Sequence, residues 1–235
     1  MLGQIEFNNI KTYDDFNFKI TNISITDPEP NLILVSVPYS NGIYDFSSIA
    51  TGDITYNARE ITVELELNEY ESYQERLNVV YYALKNVLYT NEFKNLKIDW
   101  IEGIFTARVK SISSLELLEE DRKVEVTFIA QPFRQLEHYE GDDIWDNINF
   151  ETDIFQDNTY DVEGSLNISL YNLGVKRCTP DIITNASGMS IIYKNKEYLL
   201  QGGSNKNKLI LDKGKNDLTI KGTGNIVFLW KREVI

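Results

Sequence analysis

Two stretches of strict alternation leave this chain little freedom in how its first half can fold. Residues 59–67 read Arg-Glu-Ile-Thr-Val-Glu-Leu-Glu-Leu, which puts Ile61, Val63, Leu65 and Leu67 in phase and polar side chains between them. Successive side chains of a strand point to opposite faces, so this period of two predicts a half-buried strand. Residues 123–130 repeat it with Val124, Val126, Phe128 and Ala130 inward, and Phe105, Ala107 and Val109 do so one strand earlier. Between them lies one convincing helix over residues 73–89, where Tyr73, Leu77, Val80, Tyr81, Leu84, Val87 and Leu88 recur at helical spacing. Ser72 and Glu75 offer it a capping box, each able to satisfy a free amide of the first turn. The Leu77, Leu84 and Leu88 face is expected to lie against the sheet.

The second half changes character. Short β-runs at residues 165–171, 181–184, 189–193, 197–200, 208–211, 217–220 and 225–231 are separated by turn chemistry. The turns are read at Asn172-Leu173-Gly174, Ser187-Gly188, Gly202-Gly203-Ser204, Lys213-Gly214 and Gly222-Thr223-Gly224. About seven short strands with regular turns predict a β-sandwich or jelly roll. Charge marks the boundary between the halves. Residues 1–136 carry 21 acids and 12 bases, residues 137–163 ten acids and no base, and residues 164–235 five acids and eleven bases. We therefore divide the chain into an N-terminal domain (1–136), an acidic linker or start of the second domain (137–163), and a C-terminal β-domain (164–235). The acidic stretch is expected to attract the basic half that follows.

The same residues exclude several functions. A net charge of −13 suits phosphate contacts badly, since these need Lys and Arg. No apolar run reaches the roughly 18–20 residues of a membrane span, and the N-terminus lacks the basic start and apolar centre of a secretory signal. The chain is thus expected to stay in the compartment where it is made, and Asn22, Asn167 and Asn185 of the glycosylation pattern then carry no meaning. Lone Cys178 and lone His138 cannot assemble a zinc site within one chain. Lys176 and Arg177 beside Cys178 would favour a thiolate, but an incidental thiol and a surface histidine are the plainer readings. Asp142, Asp143, Asp146, Asp153, Asp157 and Asp161 are hard oxygen donors without EF-hand spacing, and read as an acidic linker. Gly222-Thr223-Gly224 precedes a strand rather than a helix, so it reads as a hairpin turn and not a phosphate loop. No catalytic, cofactor-binding or metal-ligating residue is assigned, and no cofactor is expected.

Two stretches resemble the distal tail proteins of long-tailed (siphovirus-type) phages that infect Gram-positive bacteria. In the first, Val37-Pro38-Tyr39-Ser40-Asn41-Gly42-Ile43-Tyr44-Asp45-Phe46 is followed by Gly52, Tyr56, Arg59 and the alternating strand; Tyr39 and Ser40 stand where many members carry Gly-Arg. Phe128-Ile129-Ala130-Gln131-Pro132-Phe133 resembles the exit from the family's N-terminal domain. Then Asn172-Leu173-Gly174, Thr179-Pro180-Asp181-Ile182, the run from Gly214 to Gly222 and Val227-Phe228-Leu229-Trp230 recur in order. The resemblance implies a mostly β chain with one main helix. Its N-terminal α+β domain, a split-barrel-like sheet plus helix, would form a six-fold ring, and a galectin-like C-terminal β-sandwich would project from it. It implies a structural, non-enzymatic virion protein at the tail tip, assembled in the host cytoplasm. Its partners would be further copies of itself in a hexameric ring, the major tail tube protein, the tail-tip protein and, in some phages, a receptor-binding protein. No membrane and no specific nucleic-acid partner is implied. DNA passing through such a ring would favour an acidic wall, with Glu69, Glu71, Glu92, Glu119, Glu120 and Asp121 as candidates. The alternative is a carbohydrate-binding jelly-roll module, which would stack sugars on Tyr193, Tyr198 or Trp230.

Overall fold

A computed structural model describes residues 3–67, 74–114, 123–141 and 154–235. The chain is mostly β, with several antiparallel sheets, and separates into two compact units, Met1–Gln135 (with Ile235) and Leu136–Val234.

The first unit is an antiparallel sheet that hides one face. Its strands are β1 (Ile5–Phe7), β2 (Ile10–Lys11), β3 (Phe18–Ile25), a small ribbon β4 (Leu34–Val35) and β5 (Tyr44–Asp45), β6 (Arg59–Leu67), β7 (Lys94–Ile98), β8 (Ile101–Ile112) and β9 (Lys123–Ala130). The main sheet runs in the order β2-β1-β7-β8-β9-β6-β3, and β10 (Arg134–Tyr139) begins with Gln135 paired to Ile104. The β6–β9 register sets Ile61 opposite Phe128, Val63 opposite Val126 and Leu65 opposite Val124, all fully buried. The alternation therefore fixes the register, because a slip of one residue would turn every one of these side chains to water. On the opposite face β6 presents acids that meet lysines of its neighbours: Glu66 with Lys19 at 3.4 Å, Glu64 with Lys123 at 3.1 Å, and Glu60 with Lys110.

Helix α2 (Gln74–Leu88) covers the apolar face, and its Tyr81, Leu84 and Leu88 join the same core. Tyr81 also donates its hydroxyl to the Ser113 carbonyl at 2.8 Å, so its one polar atom is satisfied. Ser72 and the side chains of Glu75 and Leu77 lie outside the described residues. A second helix, α1 (Thr12–Phe16), was not expected. Gln4 holds its start by accepting from the amides of Tyr13 and Asp14, and Asn17 closes it at φ +62°.

The second unit departs more from the sequence reading. It contains β11 (Thr159–Asn172), β12 (Asp181–Thr184), β13 (Ser190–Tyr193), β14 (Lys196–Leu199), β15 (Gly203–Asn205), β16 (Gly214–Leu229) and β17 (Lys231–Val234). The two runs expected at 217–220 and 225–231 fall largely within a single strand of 16 residues, and Gly222-Thr223-Gly224 is not a hairpin turn. Gly222 pairs with Gly164 and Gly224 with Val162 in an unbroken ladder to β11. The glycines serve a close approach instead. A Cβ on Gly222 would stand 3.0 Å from Met189 Cγ, and one on Gly224 2.8 Å from Ala186 Cβ. Both residues also have positive φ, which only glycine adopts freely. Residues 208–211 are likewise not a strand. Leu209 and Leu211 are buried, but the backbone makes only an isolated bridge between Leu211 and Cys178.

Part of the acidic stretch is built into this unit. Glu140, 8 % exposed, receives Arg232 Nε at 2.6 Å and Nη2 at 3.3 Å, and its carbonyl accepts from Asn158. The expected attraction between the acidic stretch and the basic half thus includes one buried, two-pronged ion pair.

The inward facing of α2 is open to test. Leu84→Asp places a carboxylate where 1 % of the side chain is exposed, and should lower stability by about 3–5 kcal/mol. An unchanged thermal midpoint for this variant would contradict the packing described.

Candidate functional site

Thirty-three residues, 26–58, leave the sheet between β3 and β6 and return to it. Within them an antiparallel pair of chains is held by the Asn31 amide on the Thr55 carbonyl, the Asn57 amide on the Glu29 carbonyl, and a bridge between Pro30 and Tyr56. Further out, β4 and β5 pair Leu34 with Asp45 and Val35 with Tyr44. A staple orders this head. Ser47 donates its amide and hydroxyl to Asp45 Oδ1, while its hydroxyl oxygen accepts from the Ile33 amide at 2.8 Å. The Ser47 hydroxyl, then its amide, hold the Asp45 carboxyl below the usual carboxylate range.

The arm is apolar and exposed. Leu32, Ile33, Leu34, Val35, Val37, Tyr39, Ile43, Tyr44, Phe46, Ile49 and Ile54 are eleven of the 23 large apolar side chains that stand exposed among the described residues. Singly such residues are ordinary, but a concentration of this kind marks an interaction surface. Tyr39 at the tip is fully exposed and sits at φ +64°, a conformation that glycine adopts more freely.

A buried arginine roots the arm. Arg59 is in phase with Ile61, so the strand turns it inward, and it is only 4 % exposed. Its Nε donates to the Thr26 carbonyl at 2.7 Å and Nη1 to the Pro132 carbonyl at 3.3 Å. Nη2 lies 3.6 Å from Asp27, and the guanidinium carbon is 5.7 Å from the Phe105 ring centre. Burial lowers its pKa from the ordinary arginine value, Asp27 opposes that fall and Arg134 adds to it; an arginine keeps its charge through such a shift. At the base the Thr26 amide donates to the Glu60 carbonyl, the Glu60 amide donates back to the Thr26 hydroxyl, and Tyr56 meets Phe133 edge-on at 5.2 Å. Sequence reading named Arg59 but not its burial, although its phase with Ile61 carried that information.

The other sequence candidates are dispersed. Cys178 is mostly buried, and burial, with Glu140 and Glu233 nearby, pushes its thiol up to about 12, the reverse of a thiolate favoured by its cationic neighbours. His138 is exposed on β10. Asp142, Asp143, Asp146 and Asp153 lie outside the described residues; Asp157 and Asp161 are exposed, and Asp161 accepts from Asn225. No group of three or more metal-ligating side chains occurs among the described residues. Trp230 and Tyr193 are core residues, 4 % and 6 % exposed, with the Tyr193 hydroxyl bound to Asn216, and Tyr198 is half-buried. A sugar would find no stacking face on either buried ring. Glu92 is exposed and paired with Lys94; the other five acids proposed for a channel wall lie outside the described residues. No helix among the described residues is long and apolar enough to cross a membrane.

Two outcomes follow from this geometry. Arg59→Ala leaves two carbonyls without their donor and should cost about 2–4 kcal/mol, with faster protease cleavage in residues 36–43 as the arm loosens. Cys178, at about 12 against an ordinary 9.0, should react with iodoacetamide at pH 8 about a thousand-fold slower folded than unfolded. Equal rates in both states would contradict its environment.

No family model matches the sequence, and no curated protein matches it. Solved structures do. The chain superposes on a chain of the phage P2 baseplate in its activated, calcium-containing conformation with a TM-score of 0.43 and 11 % identity, covering 99 % of this chain and 98 % of that one. With the crystal structure of the Dit protein of phage SPP1 the TM-score is 0.67 at 12 % identity, covering 98 % of this chain and 99 % of that one. The resemblance read in the sequence is therefore matched in three dimensions: over nearly its whole length, this chain has the fold of SPP1 Dit, a paradigm of the hub adsorption apparatus in phages that infect Gram-positive bacteria.

Proposed function

We propose that this chain is a structural hub of a phage tail tip, a distal tail protein that closes into a six-membered ring and joins the tail tube to the tail-tip protein. The observation that carries the reading is the rooted apolar arm. Eleven exposed large apolar side chains on one protruding ribbon are a surface awaiting a protein partner, and further copies of the same chain are always at hand during assembly. Support comes from the shared fold with a hub protein. In this reading residues 1–136 build the ring, residues 137–163 lead out of it, and residues 164–235 form a galectin-like domain that contacts the tail-tip protein or a receptor-binding protein. The ring sits at the virion tail tip, is assembled in the host cytoplasm, and performs no catalysis.

Self-association is tested by mass in solution. A ring of six has a mass of about 163 kDa, six times the 27.2 kDa of one chain. The pair Leu34→Asp and Ile43→Asp, both at exposed positions, should return it to monomer with an unchanged melting temperature. A strict two-fold dimer, in solution and within particles, would overturn the hub reading.

A further inference from the structure

The tip of the arm joins two residues in a chemically unstable order. Asn41 is the only asparagine of the chain that is followed by glycine. The side-chain amide carbon of an asparagine lies within reach of the next backbone nitrogen, and their union closes a five-membered ring. In most sequences the side chain of the following residue crowds that nitrogen. Glycine has none, and a Cβ placed on Gly42, at φ +94°, would meet nothing within 4 Å. The nitrogen is therefore open to solvent.

The local structure leaves both reacting groups free. Asn41 and Gly42 are exposed. The turn is held on either side of them, where the Ser40 amide donates to the Val37 carbonyl at 3.2 Å and the Ser40 and Tyr44 hydroxyls share a hydrogen bond of 3.2 Å. Among the described residues, no hydrogen bond engages the Asn41 side chain or the Gly42 amide. Asparagines elsewhere lack one condition or the other. Asn205 and Asn216 are 4 % and 1 % exposed, and their side-chain amides donate to backbone carbonyls. Asn195 is exposed but precedes Lys196, and Asn225 precedes Ile226 and donates to Asp161.

We infer that Asn41-Gly42 is a site of spontaneous covalent modification. The Gly42 amide nitrogen attacks the Asn41 side-chain carbonyl carbon. A bond forms between them, the bond from that carbon to the side-chain nitrogen breaks, and the proton lost from Gly42 leaves with the nitrogen as ammonia. Water then opens the cyclic imide at either carbonyl, giving aspartate or isoaspartate, with no change of oxidation state. The isoaspartyl product runs the main chain through Cβ and Cγ of residue 41, which adds one carbon to the backbone and frees a carboxylate. Residues 26–58 already hold Asp27, Glu29, Asp45 and Asp53 and no Lys or Arg, so the new charge has no cation of the arm to pair with. An apolar head thus acquires a charge with age. This needs only the free chain and stands apart from the hub reading.

The test follows the full-length chain in mildly alkaline buffer, where loss of the amide proton is favoured. Peptides are mapped by mass after digestion, and isoaspartate is counted by methyl transfer from labelled S-adenosylmethionine with an isoaspartyl methyltransferase. Conversion of Asn41 to a mixture of aspartate and isoaspartate is expected, while Asn205 and Asn216 stay intact. Its rate should lie within about threefold of that of a free Ser-Asn-Gly-Ile peptide, because a loop tip opens at almost no free-energy cost. Asn41→Gln, which would have to close a six-membered ring, should abolish the methyl labelling and leave the melting temperature unchanged. An Asn41 that persists while the free peptide converts overturns the inference. So does conversion to aspartate alone, which would mean direct hydrolysis, or labelling that survives in Asn41→Gln.

Discussion

The first unit depends on a sheet that can hide only one of its faces. Burying a Val, Leu, Ile or Phe is worth about 1.5–3 kcal/mol, and the in-phase positions of β6, β8 and β9 supply these residues in series. Arg59 is the exception at an inward position, and its burial is tolerable only because carbonyls and Asp27 receive its donors. One acceptor belongs to Thr26, at the far end of the arm. The residue that breaks the apolar pattern thus ties both ends of the protruding ribbon to the sheet.

The same constraint explains why the arm does not fold back. The apolar face of the sheet is already filled by the core and α2. The opposite face carries Glu60, Glu64 and Glu66 with their lysines, and laying Leu34 or Ile43 over them would strip water from charged groups with nothing to replace it. Surface ion pairs of this kind add about 0–1 kcal/mol each to stability. Their larger effect here is to make the outer face of this sheet a poor resting place for apolar side chains.

What could be read in the sequence follows from the same physics. Where one period governed a whole element, as in β6, β9 and the described residues of α2, both the element and its inward face were legible. Asp181–Thr184 was legible too, bounded as it is by Pro180 and a turn. β16 was not, because Gly222-Thr223-Gly224 reads the same whether glycine turns the chain or admits Met189 and Ala186 against it. Residues 208–211 alternate as a strand does, yet alternation reports burial and not pairing, and here the side chains are buried while the backbone bridges once. α1 is five residues long and held by Gln4, a contact from outside the segment that no local pattern announces. The arm was singled out by its resemblance, but its exposure was not, since a run of Leu, Ile and Val reads equally as core.

Among the described residues, exposed apolar surface is distributed unevenly between the two units. In the second, Asn172, Asn205 and Asn216 are buried and spend their side-chain amides on turn backbone, as Asn216 does on Asp212 and Gly214. Such turns are closed from within and ask nothing of a neighbour. Its exposed apolar residues, among them Ile183, Leu199 and Ile210, are scattered along the sequence, as on any soluble surface. The first unit instead concentrates its exposed apolar side chains on one ribbon, residues 32–54. A surface of this kind can serve a reciprocal two-fold pairing as well as a head-to-tail one, since in a two-fold interface one residue meets a different residue twice. Arg59 holds the base of the ribbon through the Thr26 and Pro132 carbonyls, so the ribbon leaves the sheet at a fixed angle and presents its apolar side chains in one direction.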